Sequence, residues 1–153
     1  MGCVEEGSEA PDFELMDQGG RLFRLSSVRG RYVVLYFYPK AMTSGCTIEA
    51  VGFRDHYQEI TSLNTVVIGV SRDGVEDIKK FADKYDLPFI LLADPEGRVI
   101  ETYCVKGPRG FARRVTFLID DRGVVIKKWG RVDPKNHALE VIEFLRKCLG
   151  INK

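Results

Sequence analysis

One run of the sequence, residues 32–38, constrains the fold more than any other. It reads YVVLYFY, a β-branched and aromatic run with little polar alternation. Strands buried on both faces have this composition, whereas strands with one face in water alternate apolar and polar residues. Because helices cover both faces of the sheets that contain such strands, the run predicts an α/β protein.

Four further runs predict strands around this one. Thr65–Val70 and Val115–Ile119 are again apolar throughout, whereas Val124–Trp129 alternates more and follows the turn residues 120–123. The last two runs are expected to form a β-hairpin. Pro88–Leu92 is expected to add a short strand.

Three segments between or after the strands carry apolar residues at helical spacing. They are Thr47–Ile60, Val75–Tyr85 and His137–Leu149. Strands and helices therefore alternate, which predicts a central mixed β-sheet covered by helices on both faces. No repeat or low-complexity linker interrupts the pattern, and 153 residues suit one core, so we expect one domain over residues 1–153.

Charge and hydropathy exclude several classes of function. The net charge of +1 provides no field that would attract nucleic acid or an anionic membrane. No apolar run approaches the roughly 20 residues that span a bilayer. The N-terminal residues lack the basic start and apolar core of a secretory signal. We therefore expect a cytoplasmic protein that binds neither nucleic acid nor membrane.

The spacing of the four cysteines excludes the common metal and dithiol motifs. Cys3, Cys46, Cys104 and Cys148 lie far apart, so no CxxC pattern occurs and we expect no metal. An even number allows two disulfides, but reduced thiols are expected in a cytosol. Cys148 lies among apolar helical residues and is expected to pack there, and Cys3 is expected to be an exposed bystander.

Cys46 occupies a position at which a cysteine can be reactive. It follows the buried strand after a short loop and opens the predicted helix Thr47–Ile60. Sites in α/β sheets form at the carboxyl ends of strands, and a helix N-terminus favours an anion. We therefore expect this thiol to lose its proton more readily than a free cysteine. A helix dipole contributes only about 0.3–1 kcal/mol, so other donors must assist.

Four nearby or candidate partners offer such assistance. The Thr43 hydroxyl can hydrogen-bond the sulfur or an oxygen that approaches it. Pro39 fixes the exit from the strand without adding an N–H group, and Gly45 lets the backbone come close to a small ligand. Arg114, directly before a predicted strand, is permanently charged and can donate two hydrogen bonds at once. Spacing alone does not place it near the cysteine.

Three segments of the chain resemble the peroxiredoxin family. Residues 39–46, PKAMTSGC, match its PxxxTxxC signature, and residues 36–55 around them resemble the bacterioferritin-comigratory (Q-type) branch. GSEAPDFEL resembles the N-terminal segment of that branch, and ARRVTFLID resembles the segment with its active-site arginine. The resemblance extends from about Glu6 to Leu149.

This resemblance implies a thioredoxin-like fold and a thiol peroxidase that needs no cofactor. Cys46 would attack a peroxide oxygen and become a sulfenic acid. Thr43 would bond the peroxide, Arg114 would steady the thiolate and transition state, and Pro39 would shield the sulfur. Glu49 matches a position that orients the arginine in relatives. The implied partners are hydrogen peroxide or small organic hydroperoxides and a thioredoxin-like or small-thiol reductant, and the implied state is a monomer or weak homodimer.

The resolving cysteine of many relatives is missing. The position five residues after the peroxidatic cysteine is Val51, and no cysteine lies about thirty-five residues after it, near Phe81. Either an external thiol reduces the sulfenic acid, or another cysteine resolves it. Cys104 is the preferred internal candidate because it lies in the irregular stretch before the arginine. Cys3 or Cys148 would act between subunits.

Two other functions stay open at this stage. One is a thiol–disulfide oxidoreductase of related fold, against which the missing CxxC motif argues. The other is a redox-sensing or chaperone-like protein in which oxidation of Cys46 switches partners. Peroxide turnover distinguishes both from a peroxidase.

Overall fold

A mixed sheet of seven strands organises the chain in the computed structural model, which describes residues 3–150. Residues 1–2 and 151–153 of the predicted domain lie outside the described residues. The strand order is β2-β1-β5-β4-β3-β6-β7. The strands are β1 (Glu14–Asp17), β2 (Leu22–Arg24), β3 (Tyr32–Phe37), β4 (Thr65–Ser71), β5 (Ile90–Ala93), β6 (Val115–Ile119) and β7 (Val125–Trp129).

The run from which the fold was predicted forms β3, an interior strand next to the central strand β4. β3 pairs in parallel with β4 on one side and antiparallel with β6 on the other. Its side chains alternate between two apolar layers, one containing Tyr36 and Tyr38 and the other containing Leu35 and Phe37. Both faces of the strand are therefore buried, and the predicted mixed sheet is confirmed.

Five α-helices accompany the sheet and divide unequally between its faces. They are α1 (Ser44–Asp55), α2 (Tyr57–Ser62), α3 (Val75–Tyr85), α4 (Arg98–Thr102) and α5 (His137–Cys148). All but α4 contribute to the apolar layer that contains Cys46, here called the Cys46 face. The opposite layer, the Tyr103 face, receives α4 and the N-terminal residue Val4.

Two boundary predictions around the cysteine are wrong. The predicted helix Thr47–Ile60 begins three residues earlier, at Ser44, and divides at His56 into α1 and α2. Cys46 therefore lies inside the first turn of α1 instead of ahead of it, and Glu49 lies in the second turn. Thr43, with an extended backbone, is the N-cap residue, which is where threonine is favoured.

Other elements escaped prediction because they are short. β1, β2 and α4 contain four, three and five residues, and the two strands are exposed or half-buried throughout. None produces a long apolar run. The predicted hairpin is confirmed, since β6 and β7 pair antiparallel.

A disulfide corrects the expected state of two cysteines. Cys3 and Cys104 are joined, while Cys46 and Cys148 are free. The expectation that all four thiols are reduced is thus wrong for this pair, and Cys3 is not a bystander. No helix among residues 3–150 is long and apolar enough to cross a membrane.

Candidate active site

The loop between β3 and α1 is tied to the neighbouring strand. The Ala41 backbone N–H donates to the Asp73 carboxylate at 2.8 Å, and the Ser71 hydroxyl donates to the same oxygen at 2.8 Å. Ser71 ends β4, which is parallel to β3, so both groups lie at the carboxyl edge of the sheet. Asp73 therefore holds the loop in place. The sequence did not indicate this role, since Asp73 is 32 residues from Ala41 and no local pattern links the two.

Cys46 lies beneath the surface in the first turn of α1. It is the third residue of the helix and is only 1% exposed. The first turn of a helix has N–H groups without intrahelical partners, and its dipole favours negative charge. The sulfur thus lies where a thiolate is stabilised and where bulk water has little access.

Arg114 supplies the fixed positive charge that the sequence could not place. It directly precedes β6, the antiparallel neighbour of β3, and its side chain reaches across to α1. Its Nη2 atom lies 3.5 Å from Cys46 Sγ, and its Nη1 atom donates to Glu49 Oε1 at 2.8 Å. One guanidinium group therefore contacts both the sulfur and a carboxylate.

Glu49 is the buried anchor of this arginine. Its side chain is fully buried, and its second oxygen, Oε2, has no hydrogen-bond partner among the described residues. Burial raises the pKa of Glu49 to about 7, and the attraction of Arg114 only partly offsets this. Burial also works against the charge of Arg114, but the two anionic groups, Cys46 and Glu49, raise its pKa above the ordinary value. The cation has two partners and the carboxylate one, so the arginine stays charged while Glu49 titrates near neutrality.

Gly45 makes room for the arginine. A Cβ atom at this position would lie 3.0 Å from Arg114 Nη2 and 3.7 Å from its Cζ. The sequence suggested that Gly45 admits a small ligand, whereas the structure shows the guanidinium group in that space. The glycine therefore acts on the sulfur through the position of Arg114.

Thr43 and Pro39 lie on the loop between β3 and α1. The Thr43 hydroxyl donates to the Lys40 carbonyl at 2.7 Å, so its proton is directed to the loop and not to Cys46. Its oxygen still has lone pairs that can accept a hydrogen bond. Pro39 follows the buried Tyr38 directly and is partly exposed.

None of the three other cysteines lies with the site. Cys104 is bonded to Cys3, and its neighbours Tyr103 and Val105 pack on the Tyr103 face, opposite the face of Cys46. The suggestion that Cys104 resolves Cys46 is therefore not supported by this arrangement. Cys148 is exposed at the end of α5. Within residues 3–150, no group of three or more His, Cys, Asp and Glu side chains is arranged to hold a metal ion.

Comparison with known proteins identifies relatives of the whole chain. Residues 7–128 match the AhpC/TSA family. Peroxiredoxin Bcp of Bacillus subtilis is 44% identical over 150 residues, which cover 94% of this chain and 96% of the relative. Peroxiredoxin Bcp of Escherichia coli K12 is 37% identical over 153 residues, with coverages of 95% and 98%.

Solved structures agree with these sequence relatives. Peroxidoxin BcpB from Mycobacterium tuberculosis superposes with a TM-score of 0.88 at 37% identity, covering 94% of this chain and 97% of the other. A PrxQ mutant from Xylella fastidiosa gives a TM-score of 0.92 at 27% identity, with coverages of 97% and 99%.

A mixed sheet of this order, with a buried cysteine in the first helical turn after the interior strand β3, defines a thiol peroxidase of thioredoxin-like fold. The chain belongs to the AhpC/TSA family, in the branch of the Bcp and peroxiredoxin Q proteins. The predicted family, fold and enzyme class are therefore confirmed. Membership implies a peroxide substrate and a thiol-based reductant.

Proposed function

We propose that Cys46 is the peroxidatic cysteine and that it reduces hydrogen peroxide and small organic hydroperoxides. The observation that carries this proposal is the contact of 3.5 Å between Arg114 Nη2 and the sulfur, with Glu49 fixing the other arm of the same guanidinium group. A thiolate next to a permanent cation at a helix N-terminus is the form of cysteine that acts as a nucleophile.

The reaction is a displacement at one peroxide oxygen. The Cys46 thiolate attacks that oxygen, the O–O bond breaks, and the second oxygen leaves as hydroxide or alkoxide and takes up a proton. Sulfur is oxidised by two electrons to a sulfenic acid, and the peroxide is reduced to water or an alcohol. Negative charge moves from the sulfur to the leaving oxygen, and Arg114 is placed to stabilise it at both positions.

Thr43 and Pro39 are proposed to position the substrate. Because the Thr43 hydroxyl proton is bonded to the Lys40 carbonyl, its oxygen is oriented as an acceptor for the peroxide O–H group. Pro39 is on the same loop. It presents carbon atoms and has no N–H group, so it offers the peroxide no competing hydrogen bond. Gly45 leaves the space in which the guanidinium group lies.

A one-cysteine route fits the described cysteines. A thiol of a thioredoxin-like or small-thiol reductant attacks the Cys46 sulfenic acid, releases water and forms a mixed disulfide, and a second thiol then frees Cys46. Since the sulfur is 1% exposed, the first turn of α1 must open for this step. We further propose a cytoplasmic location, because thiol reductants are maintained there, and a monomer or weak homodimer.

Peroxide consumption by the purified protein tests the proposal. With dithiothreitol as reductant, the wild type is expected to consume hydrogen peroxide catalytically, and Cys46→Ser is expected to abolish turnover. Cys148→Ser, which changes the exposed free cysteine, should keep the wild-type rate. If a protein with a demonstrably reduced Cys46 consumes no peroxide, the proposed function is wrong.

A further inference from the structure

The peroxidase cycle leaves one covalent feature without a role, the disulfide between Cys3 and Cys104. The two residues are 101 positions apart in sequence, and their Cα atoms are 5.6 Å apart. Cys3 is exposed and Cys104 partly exposed, whereas Cys46 is almost completely buried. A large dithiol protein can therefore reach the bridge more easily than it can reach the peroxidatic sulfur.

The N-terminal segment stays in place independently of the bridge. The Gly7 backbone N–H donates to the Val125 carbonyl at 2.7 Å, and Lys128 Nζ donates to the Val4 carbonyl at 3.2 Å. Val4 itself is buried on the Tyr103 face. Reduction would thus leave Cys3 close to Cys104, and the pair can re-form without a search through many conformations. Such an arrangement suits a reversible dithiol–disulfide couple.

The bridge is connected to the active-site arginine by a short path. The Cys104 carbonyl accepts a hydrogen bond from Arg113 Nη2 at 2.8 Å, and the Val105 carbonyl accepts one from the Arg113 backbone N–H at 2.7 Å. The next residue is Arg114, whose guanidinium group contacts Cys46. Arg113 therefore links the backbone at Cys104 to the residue whose side chain faces the sulfur.

Cys104 lies in the turn that ends α4. Its φ angle is +59°, in the left-handed region in which many helices end. The Cys104 N–H donates to the Glu101 carbonyl at 3.0 Å and the Val105 N–H donates to the Ile100 carbonyl at 3.0 Å, and the bridge ties this turn to the N-terminal segment. Once the bridge is cut, the turn loses its covalent tie, and the hydrogen bond between the Cys104 carbonyl and Arg113 is expected to loosen.

We propose that Cys3–Cys104 is a second redox centre, which a dithiol protein reduces and which controls how firmly Arg114 is held against Cys46. The control of Cys46 rests on the proposed function, whereas the redox activity of the pair does not. In reduction, one thiolate of the dithiol attacks a sulfur of the bridge and the other sulfur leaves as a thiol. The second thiol of the reductant then displaces the first cysteine, so both cysteines are reduced and the reductant becomes a disulfide.

Peroxide supplies the reverse step. A thiolate of the pair is oxidised to a sulfenic acid, with release of water from hydrogen peroxide. The second thiol then condenses with the sulfenic acid, the bridge forms, and another water molecule is released. The pair therefore reports the balance between peroxide and dithiol in its surroundings.

The first experiment measures the redox activity of the pair alone. The double variant Cys46→Ser/Cys148→Ser is incubated in the native state with a bacterial thioredoxin, its reductase and NADPH, and free thiols are counted by alkylation and mass spectrometry. Two alkylated cysteines are expected, and hydrogen peroxide is expected to restore the bridge. If native protein keeps its bridge while urea-unfolded protein loses it, the pair is a static cross-link and the proposal is overturned.

The second experiment measures the effect on Cys46. Proteins with reduced Cys46 react with one equivalent of hydrogen peroxide, and the loss of the Cys46 thiol is followed by rapid quenching. Compared with the bridged Cys148→Ser protein, Cys3→Ser and Cys104→Ser are expected to react about three- to tenfold more slowly. Circular dichroism and thermal unfolding of the two variants identify the folded temperature range in which the rates are compared.

Arg114→Lys provides the background that separates positioning from general destabilisation. If the bridge acts through Arg114, Cys3→Ser should add no further loss of rate in the Arg114→Lys protein, because coupled residues are not additive. Equal rates for bridged and bridge-free enzyme, or full additivity, would overturn the control of Cys46. Failure of the proposed function gives a different result. In that case the Cys46 thiol of the Cys148→Ser protein would not react with peroxide at all, whereas the thiol counts of the first experiment would be unchanged.

Discussion

Glu49 Oε1 accepts a hydrogen bond of 2.8 Å from Arg114 Nη1, and this contact determines where the second arm of the guanidinium group points. The second arm, Nη2, lies 3.5 Å from the Cys46 sulfur. Cys46 and Glu49 are three residues apart on α1, so they lie on the same side of the helix. The planar arginine therefore bridges the thiol and the carboxyl group that a single helix presents to it.

The two-armed contact predicts that charge alone is not sufficient at position 114. Arg114→Lys keeps the charge but cannot contact the sulfur and Glu49 in the same geometry. The rate of the reaction of Cys46 with hydrogen peroxide, measured under single turnover, is expected to fall about a hundredfold. Arg98→Lys, at an exposed arginine paired with Glu96, is the matched control and should keep the wild-type rate. An unchanged rate for Arg114→Lys would contradict the bridging role.

The space at Gly45 predicts a second way to disturb the arginine. In Gly45→Ala the new methyl group would lie 3.0 Å from Arg114 Nη2, so the guanidinium group must move by a few tenths of an ångström. We expect the peroxide rate to fall about tenfold with little change in stability. Gly52→Ala, in the same helix, meets only Ala138 Cβ at 3.8 Å. This control should keep full activity and gain up to about 1 kcal/mol in stability. Equal activities of the two variants would argue against the proposed contact.

The buried carboxylate predicts an unusual pH dependence of stability. Burial raises the pKa of Glu49 from 4.5 to about 7 in the folded protein, so its favourable contribution is complete below about pH 4.5 and is lost as the pH rises through about 7. Glu49→Gln removes this titration. Between about pH 5 and pH 8 the free energy of unfolding of the wild type is expected to fall, relative to Glu49→Gln, by on the order of 2 kcal/mol.

Urea unfolding at several pH values measures this difference. Glu143→Gln changes an exposed glutamate on α5 and serves as the control, whose difference from the wild type should be nearly independent of pH. A flat difference for Glu49→Gln as well would show that the carboxylate stays ionised when folded and that Arg114 outweighs burial.

A close approach in the centre of the sheet predicts a position where only glycine fits. Gly69 on β4 is the register partner of Tyr36 on β3 and of Leu91 on β5. A Cβ atom there would lie 2.8 Å from the Tyr36 ring and 3.0 Å from Leu91 Cδ2. Gly69→Ala is expected to lower the free energy of unfolding by about 1–3 kcal/mol, measured by urea titration. Gly130→Ala, with nothing within 4 Å of the added carbon, should change it little, and equal stabilities would refute the clash.

The sequence predicted the buried strand β3 correctly because a strand buried on both faces has a continuous apolar composition. The run at residues 32–38 predicted a strand buried on both faces, and β3 has that environment. The signature around Cys46 and the segment around Arg114 were recognisable because their chemistry depends on residue type. Their meeting in space depended on the antiparallel pairing of β3 with β6, which no local pattern encodes.

The features that were missed depend on long-range contacts. Cys3 and Cys104 are separated by 101 residues, and neither has a local pattern that indicates a partner. His137 gave no sign of a buried role, yet its Nε2 atom lies 2.8 Å from Thr116 Oγ1 and the residue is fully buried. The early start of α1 was missed because Ser44 and Gly45 are weak helix formers whose position is decided by the cap and the tertiary contacts.

The N-terminal segment that runs beside β7 covers part of one border of the sheet. Ser8 and Gly7 exchange backbone hydrogen bonds with Val125, the first residue of β7, at 2.9 and 2.7 Å. At the other border β2 is only three residues long. An uncovered long border would offer a template on which a second chain could add its own strand. Pairing at Val125 and the brevity of β2 therefore leave the described part of the chain less border on which another chain could add a strand.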